Sequence, residues 1–123
     1  MTIYKKIDSY NVAVLELLTP IEHKPKIRLI SRIQIPEEFR GKGIGTYLMD
    51  TICQIADRQD YVMYIHLFQI QKRSRKRFIS FLNKYNFYIA YVAPDIMFRL
   101  PGGKDSLPIV EEVLEIKKYL EEE

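Results

Sequence analysis

The stretch Ile33-Gln34-Ile35-Pro36-Glu37-Glu38-Phe39-Arg40-Gly41-Lys42-Gly43-Ile44-Gly45-Thr46-Tyr47-Leu48-Met49 decides how the rest of the chain is read. It begins at the end of an alternating segment. From residue 27 to 35 the odd positions are Ile27, Leu29, Ser31, Ile33 and Ile35, while the even ones include Arg28, Arg32 and Gln34, the pattern of a strand. Pro36 ends that strand because it has no N–H to give to a ladder. After a loop over residues 37–42, Ile44, Leu48, Ile52 and Ile55 recur at the spacing of one helical face, which predicts a helix over residues 43–58. Arg40-Gly41-Lys42-Gly43-Ile44-Gly45 therefore lies where a strand hands over to a helix. Glycines there let the backbone turn tightly and a ligand approach the main chain, and the first helical turn offers free N–H groups and partial positive charge. Such a loop suits a phosphate or pyrophosphate.

Two familiar phosphate loops fail on these residues. The dinucleotide fingerprint needs a glycine where this chain has Thr46, and a Walker A loop needs Ser or Thr after a Gly-Lys pair, where Lys42 is followed by Gly43 and Ile44. A tight strand-to-helix turn with no ligand stays open as an alternative.

Outward from this point the elements alternate. Residues 2–6 and 12–18 read as strands, joined by Asp8-Ser9-Tyr10-Asn11, which can close a hairpin. Residues 19–26, with Pro20 and Pro25, read as a loop. Residues 61–68, rich in aromatic and β-branched side chains, predict a largely buried strand. Ser74 is the expected N-cap of a helix whose apolar face is Phe78, Phe81, Leu82 and Tyr85, ended by a left-handed Asn86. Strands over residues 87–92 and 96–100 follow, joined through Ala93-Pro94-Asp95. After the break at Pro101-Gly102-Gly103, Ile109, Val113, Ile116 and Leu120 mark a last amphipathic helix.

At 123 residues the chain is of single-domain size, and 47% hydrophobic with 28% charged residues is the composition of an ordinary globular domain. One domain over residues 1–123 is expected. No run is long enough to span a bilayer, and Met1-Thr2-Ile3-Tyr4-Lys5-Lys6 does not lead into a signal peptide's apolar stretch. Cys53 is the only cysteine, which excludes an internal disulfide and suits a buried thiol in a reducing compartment, so a cytoplasmic protein is expected. A net charge of +3 is too modest to imply nucleic-acid binding. The basic block Lys72, Arg73, Arg75, Lys76 and Arg77 has three readings: a solvated helix start, a contact to a ligand phosphate, or a site for an acidic or nucleic-acid partner.

The quoted stretch closely resembles motif A of the GCN5-related N-acetyltransferases (GNAT family), with its Arg-x-x-Gly-x-Gly core complete from Arg40 to Gly45. Phe81-Leu82-Asn83-Lys84-Tyr85-Asn86-Phe87 is similar to that family's second recurring segment, and the resemblance runs from about residue 27 to 100. It implies an α/β fold with a mixed, mostly antiparallel central sheet and flanking helices, here with a reduced N-terminal region and an extra C-terminal helix. The strand ending at Ile35 is expected to splay from the one over residues 61–68, leaving a slot for the pantetheine arm of acetyl-CoA. The resemblance assigns Ile33, Gln34 and Ile35 to that arm. It assigns Arg40, Gly41, Lys42, Gly43, Ile44, Gly45 and Thr46 to the pyrophosphate, and Arg75 to a position early in the second helix where the family often has Asn.

The chain departs from the family pattern at the proton-transfer positions. Leu82 stands where members commonly have the Tyr that protonates the departing thiolate, and Tyr85, one turn on, is the candidate substitute. The strand over residues 27–35 has no Asp or Glu to serve as base, so another strand or water must serve. His66 is the candidate by its pKa class. The expected activity is N-acetyl transfer from acetyl-CoA to an amine, with a protein or other macromolecule as acceptor, because only a hairpin's length precedes the motif strand and leaves the acceptor side open or walled by a second copy. A non-catalytic acyl-CoA-binding or protein-interaction module on the same fold is the alternative.

Overall fold

A computed structural model of the protein describes residues 1–67, 70, 72–90, 93–103 and 118. The chain opens with the expected hairpin, β1 (Thr2–Lys6) and β2 (Val12–Leu18). Its turn is held by the Asp8 carboxylate, which accepts from the N–H groups of Tyr10 and Asn11, both at 2.8 Å, and from the Asn11 side chain. These donors, the Tyr10 N–H first, lower the pKa of Asp8. The N-terminal ammonium extends the ladder by donating to Leu17 O at 2.9 Å.

β3 (Ile27–Gln34), α1 (Ile44–Gln59), β4 (Val62–His66), α2 (Lys72–Asn83), β5 (Tyr88–Ala90) and β6 (Ala93–Arg99) follow. The six strands form one mixed sheet in the order β1-β2-β3-β4-β6-β5, antiparallel throughout except for the β3–β4 pair. Ala13, Leu15 and Leu17 on β2, Met63 and Ile65 on β4, and Met97 on β6 form one buried cluster with Leu48, Met49, Ile52 and Ala56 of α1 and Leu82 of α2. This is the helical face. On the opposite face Tyr64, Ile96 and Phe98 join Ile21 and Ile27 in a second buried cluster.

β3 does not keep the simple alternation its sequence suggests. Leu15 faces Ile33 and Glu16 faces Arg32, but Leu17 faces Ile30, so Ser31 is an extra residue in the ladder. A bulge of this kind turns the side chains beyond it to the other face. Ile27 and Leu29 accordingly join the opposite-face cluster, whereas Ile30, Ile33 and Ile35 all pack with the helices.

Other boundaries shift as well. α2 begins at Lys72, so Ser74 lies inside its first turn and is not the N-cap. Ahead of it the Ile70 N–H donates to Leu67 O at 3.0 Å. Asn86 is left-handed as expected, at φ 67°. Ala93, Pro94 and Asp95 belong to β6, since Ala90 already pairs with Ala93. Pro94 is tolerated because it sits beside the register shift at Ile89 and Ala90, at the strand's irregular end. Strand β4 ends at His66, and Leu67 turns away. The strand extension to Phe68 and the helix marked by Ile109, Val113, Ile116 and Leu120 lie outside the described residues.

α1 ends on Asp60, left-handed at φ 58° and ψ 42°, a conformation that Asp tolerates better than most residues. Near this end a polar clip joins three elements. The Arg99 guanidinium, 5% exposed, donates to both oxygens of Asp57 at 2.8 and 3.2 Å and to the Tyr85 carbonyl, while the Gly102 N–H donates to Asp57. Arg99 beside Asp57 holds the carboxyl below the usual aspartate range. A depressed pKa stabilises the fold above the unfolded-state value, and that contribution is lost as the pH falls through the folded-state value. Asp57→Ala should cost about 2 kcal/mol at neutral pH, below the loss for a fully enclosed pair because the carboxylate meets solvent. Urea melts of both proteins at neutral and acidic pH check this, the difference shrinking on the acid side.

Candidate functional site

Where β3 gives way to α1, the chain builds an anion cradle from its backbone. Gly41 and Gly43 are left-handed at φ 79° and 82°, and a methyl added at either would meet nothing within 4 Å, so these glycines are required by conformation and not by space. Gly43 is the N-cap of α1 and makes no side-chain capping bond, and the first turn carries no acidic residue. The first bond of the helix runs from the Tyr47 N–H to Gly43 O at 3.0 Å. The N–H groups of Ile44, Gly45 and Thr46 thus stand without an intrahelical acceptor at the positive end of the helix dipole.

Gly45 has a different reason. A methyl there would lie 3.3 Å from Ile35 Cδ1 and 3.5 Å from the Phe81 ring, so its absence lets α1 approach the end of β3 and the flank of α2. Arg40 folds back to donate from Nε to Ile35 O at 3.2 Å. Lys42 sits 5.6 Å from the Phe39 ring centre, and Lys5 reaches from β1 to 4.6 Å from the Tyr47 ring centre. Two of these cations, Arg40 and Lys42, belong to the loop that leads into the uncapped turn, and Lys5 lies over a ring of its first residues.

Beside the cradle the sheet opens. β3 and β4 pair only at Ile27–Val62, Arg28–Met63 and Leu29–Tyr64, although β3 runs on to Gln34 and β4 to His66. The main-chain groups of β3 that point toward β4 past Leu29 have no ladder partner there. Ile33 and Ile35 are half-buried against the helical face, and Gln34 is exposed. Ser31, at the bulge, donates from Oγ to Glu16 Oε1 at 2.7 Å.

The two proton-transfer candidates lie on different faces. Tyr85 packs on the helical side, edge-on to Phe81 with ring centres 5.4 Å apart. Burial is the first cause of its raised pKa, and interactions with Thr46 and Asp50 show its hydroxyl turned toward α1. Leu82 is wholly buried in the core. His66 is buried on the opposite face, its ring edge-on to Tyr64 at 5.8 Å. Arg75 donates from Nη2 to Ile70 O at 3.3 Å, and its buried Nε has no hydrogen-bond partner among the described residues. Cys53 is buried at the core side of α1, where burial pushes its thiol up to about 11, so it is protonated and unreactive at neutral pH.

Reading the sequence directed the search for a carboxylate to the motif strand and missed the one that folding brings there from β2. A signal was available: Glu16 is the only acidic residue in the first four strands and interrupts the otherwise apolar run of residues 12–18. Among the described residues no helix is long and apolar enough to cross a membrane, and no group of three His, Cys, Asp or Glu could hold a metal ion.

Compared with known families, residues 7–87, more than half of the chain, match the model of the acetyltransferase (GNAT) family. No curated protein matches the sequence.

The two kinds of glycine predict different costs. Gly43→Ala must hold a left-handed alanine and should lose about 1 kcal/mol. Gly45→Ala meets only the movable tip of Ile35 and gains helix propensity, so it should stay within about 0.5 kcal/mol of the parent. Urea melts of the two variants check the contrast.

Proposed function

The chain belongs to the GNAT family of acetyltransferases, and on that premise we propose that it transfers an acetyl group from acetyl-CoA to an amine carried by a protein or other macromolecule. The observation that carries this reading is the adjacency of the uncapped turn of α1 to the gap between β3 and β4, Gly45 leaving room for Ile35 at the end of β3 to lie close beside it. One feature fits a pyrophosphate, the other an extended arm. A bound acetyl-CoA supplies an acetyl carbonyl activated as a thioester, and the protein's share is to bind, orient and move protons.

In this reading the N–H groups of Ile44, Gly45 and Thr46 hold the pyrophosphate, with Gly41 and Gly43 shaping the turn and Arg40 and Lys42 adding charge. The main-chain groups of Ile33, Gln34 and Ile35 bond the pantetheine arm, the Ile35 carbonyl being also held by Arg40 Nε. Arg75 contributes a cation from α2. Tyr85 keeps its proton at neutral pH and is the hydroxyl that α2 offers on the helical face in place of the missing tyrosine at Leu82. His66 offers an imidazole on the opposite side of the gap.

Leu82, wholly buried and unable to donate a proton, favours a second reading in which the chain binds acyl-CoA or a protein partner without turnover. Calorimetric titration with acetyl-CoA and with CoA, followed by a CoA-release assay with amine acceptors on the same sample, separates the two. We expect micromolar binding and measurable transfer. Binding without transfer supports the module. Gly43→Val and Gly45→Val should each weaken acetyl-CoA at least tenfold while keeping the far-ultraviolet spectrum of the parent, and retained affinity in both would sink the cradle.

A further inference from the structure

The proton-transfer residues carried over from the family pattern leave one group unused: the Glu16–Ser31 pair at the bulge. Glu16 sits on β2 on the face opposite the helices, since its neighbours Leu15 and Leu17 are wholly buried on the helical one. Ser31 is the residue that the bulge inserts into β3, and its side chain points to the same face as Glu16, as their 2.7 Å hydrogen bond requires. Pairing with β4 has just ceased at Leu29 and Tyr64. Counting on from that pair, Ser31 stands level with His66, and His66 lies on the same face as Tyr64. The opposite-face mouth of the gap therefore has Ser31 on one wall and His66 on the other.

Both members of the pair are half-buried, so each is reachable from solvent, and Arg32 beside them is exposed. Ser31 has one proton, and the short contact commits it to Glu16. Its remaining lone pairs are left to accept a donor. An alkylammonium is such a donor, and a carboxylate behind the hydroxyl favours its positive charge. Arg32, directly opposite Glu16 in the ladder, and the ammonium of Met1, bonded to Leu17 O, are the cations near the carboxylate, and neither is hydrogen-bonded to it.

We infer that Ser31 and Glu16 form the proton relay that prepares the acceptor amine, an inference that rests on the acetyltransferase reading. The ammonium gives a proton to Ser31 Oγ as Ser31 gives its own to Glu16 Oε1, which leaves a neutral amine and a neutral carboxylic acid. The amine lone pair then forms the C–N bond to the acetyl carbon, the C–S bond breaks, and the CoA sulfur leaves with the bond's electrons and takes up the proton that the acylated nitrogen sheds, giving amide and CoA thiol. Ser31 is the residue that meets the amine, and Glu16 acts through it. The substrate class follows from this arrangement: acceptors that are charged at neutral pH, such as lysine side chains, need the relay, whereas nucleophiles that are already neutral do not.

The test compares two nucleophiles on the full chain. Glu16→Gln keeps an oxygen to accept the Ser31 hydrogen bond but cannot take a proton. It should lower kcat/KM for poly-L-lysine about 100-fold while transfer to hydroxylamine, neutral at pH 7, changes less than about twofold. Acetyl-CoA affinity by calorimetry and the melting temperature should match those of the parent. Ser31→Ala should give the same split. Unchanged transfer to poly-L-lysine by Glu16→Gln, or an equal loss with both nucleophiles, overturns the relay while leaving the acetyltransferase reading intact. A parent protein that binds no acetyl-CoA, or binds it and acylates neither nucleophile, overturns the acetyltransferase reading and the relay with it.

Discussion

Everything distinctive about this molecule depends on one extra residue in a strand. A strand that alternated without interruption from Ile27 to Ile35 would place Ile27, Leu29, Ile33 and Ile35 on one face and Ile30 alone on the other. Inserting Ser31 opposite the Glu16–Leu17 step changes that division. Ile30, Ile33 and Ile35 turn to the helices while Ile27 and Leu29 remain on the other side, and β3 parts from β4 two residues before the bulge. The apolar burial on the two faces, at about 25 cal/mol for each Å² withdrawn from water, is what fixes the kinked register.

The two ends of α1 show how the fold divides structural from functional work. At its C-terminus polar groups are matched: Asp57 takes both arms of Arg99 and the Gly102 N–H, Arg99 also holds the Tyr85 carbonyl, and the Tyr61 N–H returns to Ala56 O. At its N-terminus no side chain caps the helix, and Arg40 and Lys42 lie in the loop before it. Unpaired N–H groups beside cations in a first turn cost stability unless an anion arrives. The well-matched end anchors α1 against β6 and the turn after α2, so the unmatched end is carried on a rigid element.

The sheet also separates two chemistries. Tyr85 and Phe81 are on the helical face, whereas His66, Glu16 and Ser31 belong to the opposite one. The gap between β3 and β4 is the place where the two faces communicate. On the proposed reading, the groups assigned to a phosphorylated ligand are cationic and the one assigned to drawing a proton from an amine is anionic. A reaction between a negative donor and a positive acceptor is served by this separation, because each charged partner meets complementary groups without neutralising the other's.

The sequence by itself determined the order of elements, the hairpin, the strand-to-helix loop and its family, because these rest on local chemistry: Asp8 in a turn, Pro36 after a strand, glycines before a helical stripe. It misplaced the ends of α2 and β6: the helix already begins at Lys72, and Ala93 is drawn into β6 by pairing with Ala90. Only the tertiary structure decided the bulge, since Ser31 fits an alternating pattern as a polar residue and becomes the extra one only when β2 is laid beside it. The same holds for Glu16, which reads as an interruption in an apolar strand until the neighbouring strand brings a hydroxyl to its carboxylate. Periodicity reports which residues a single element buries. Which residues meet across elements depends on register, and register is set by the packing of both faces at once.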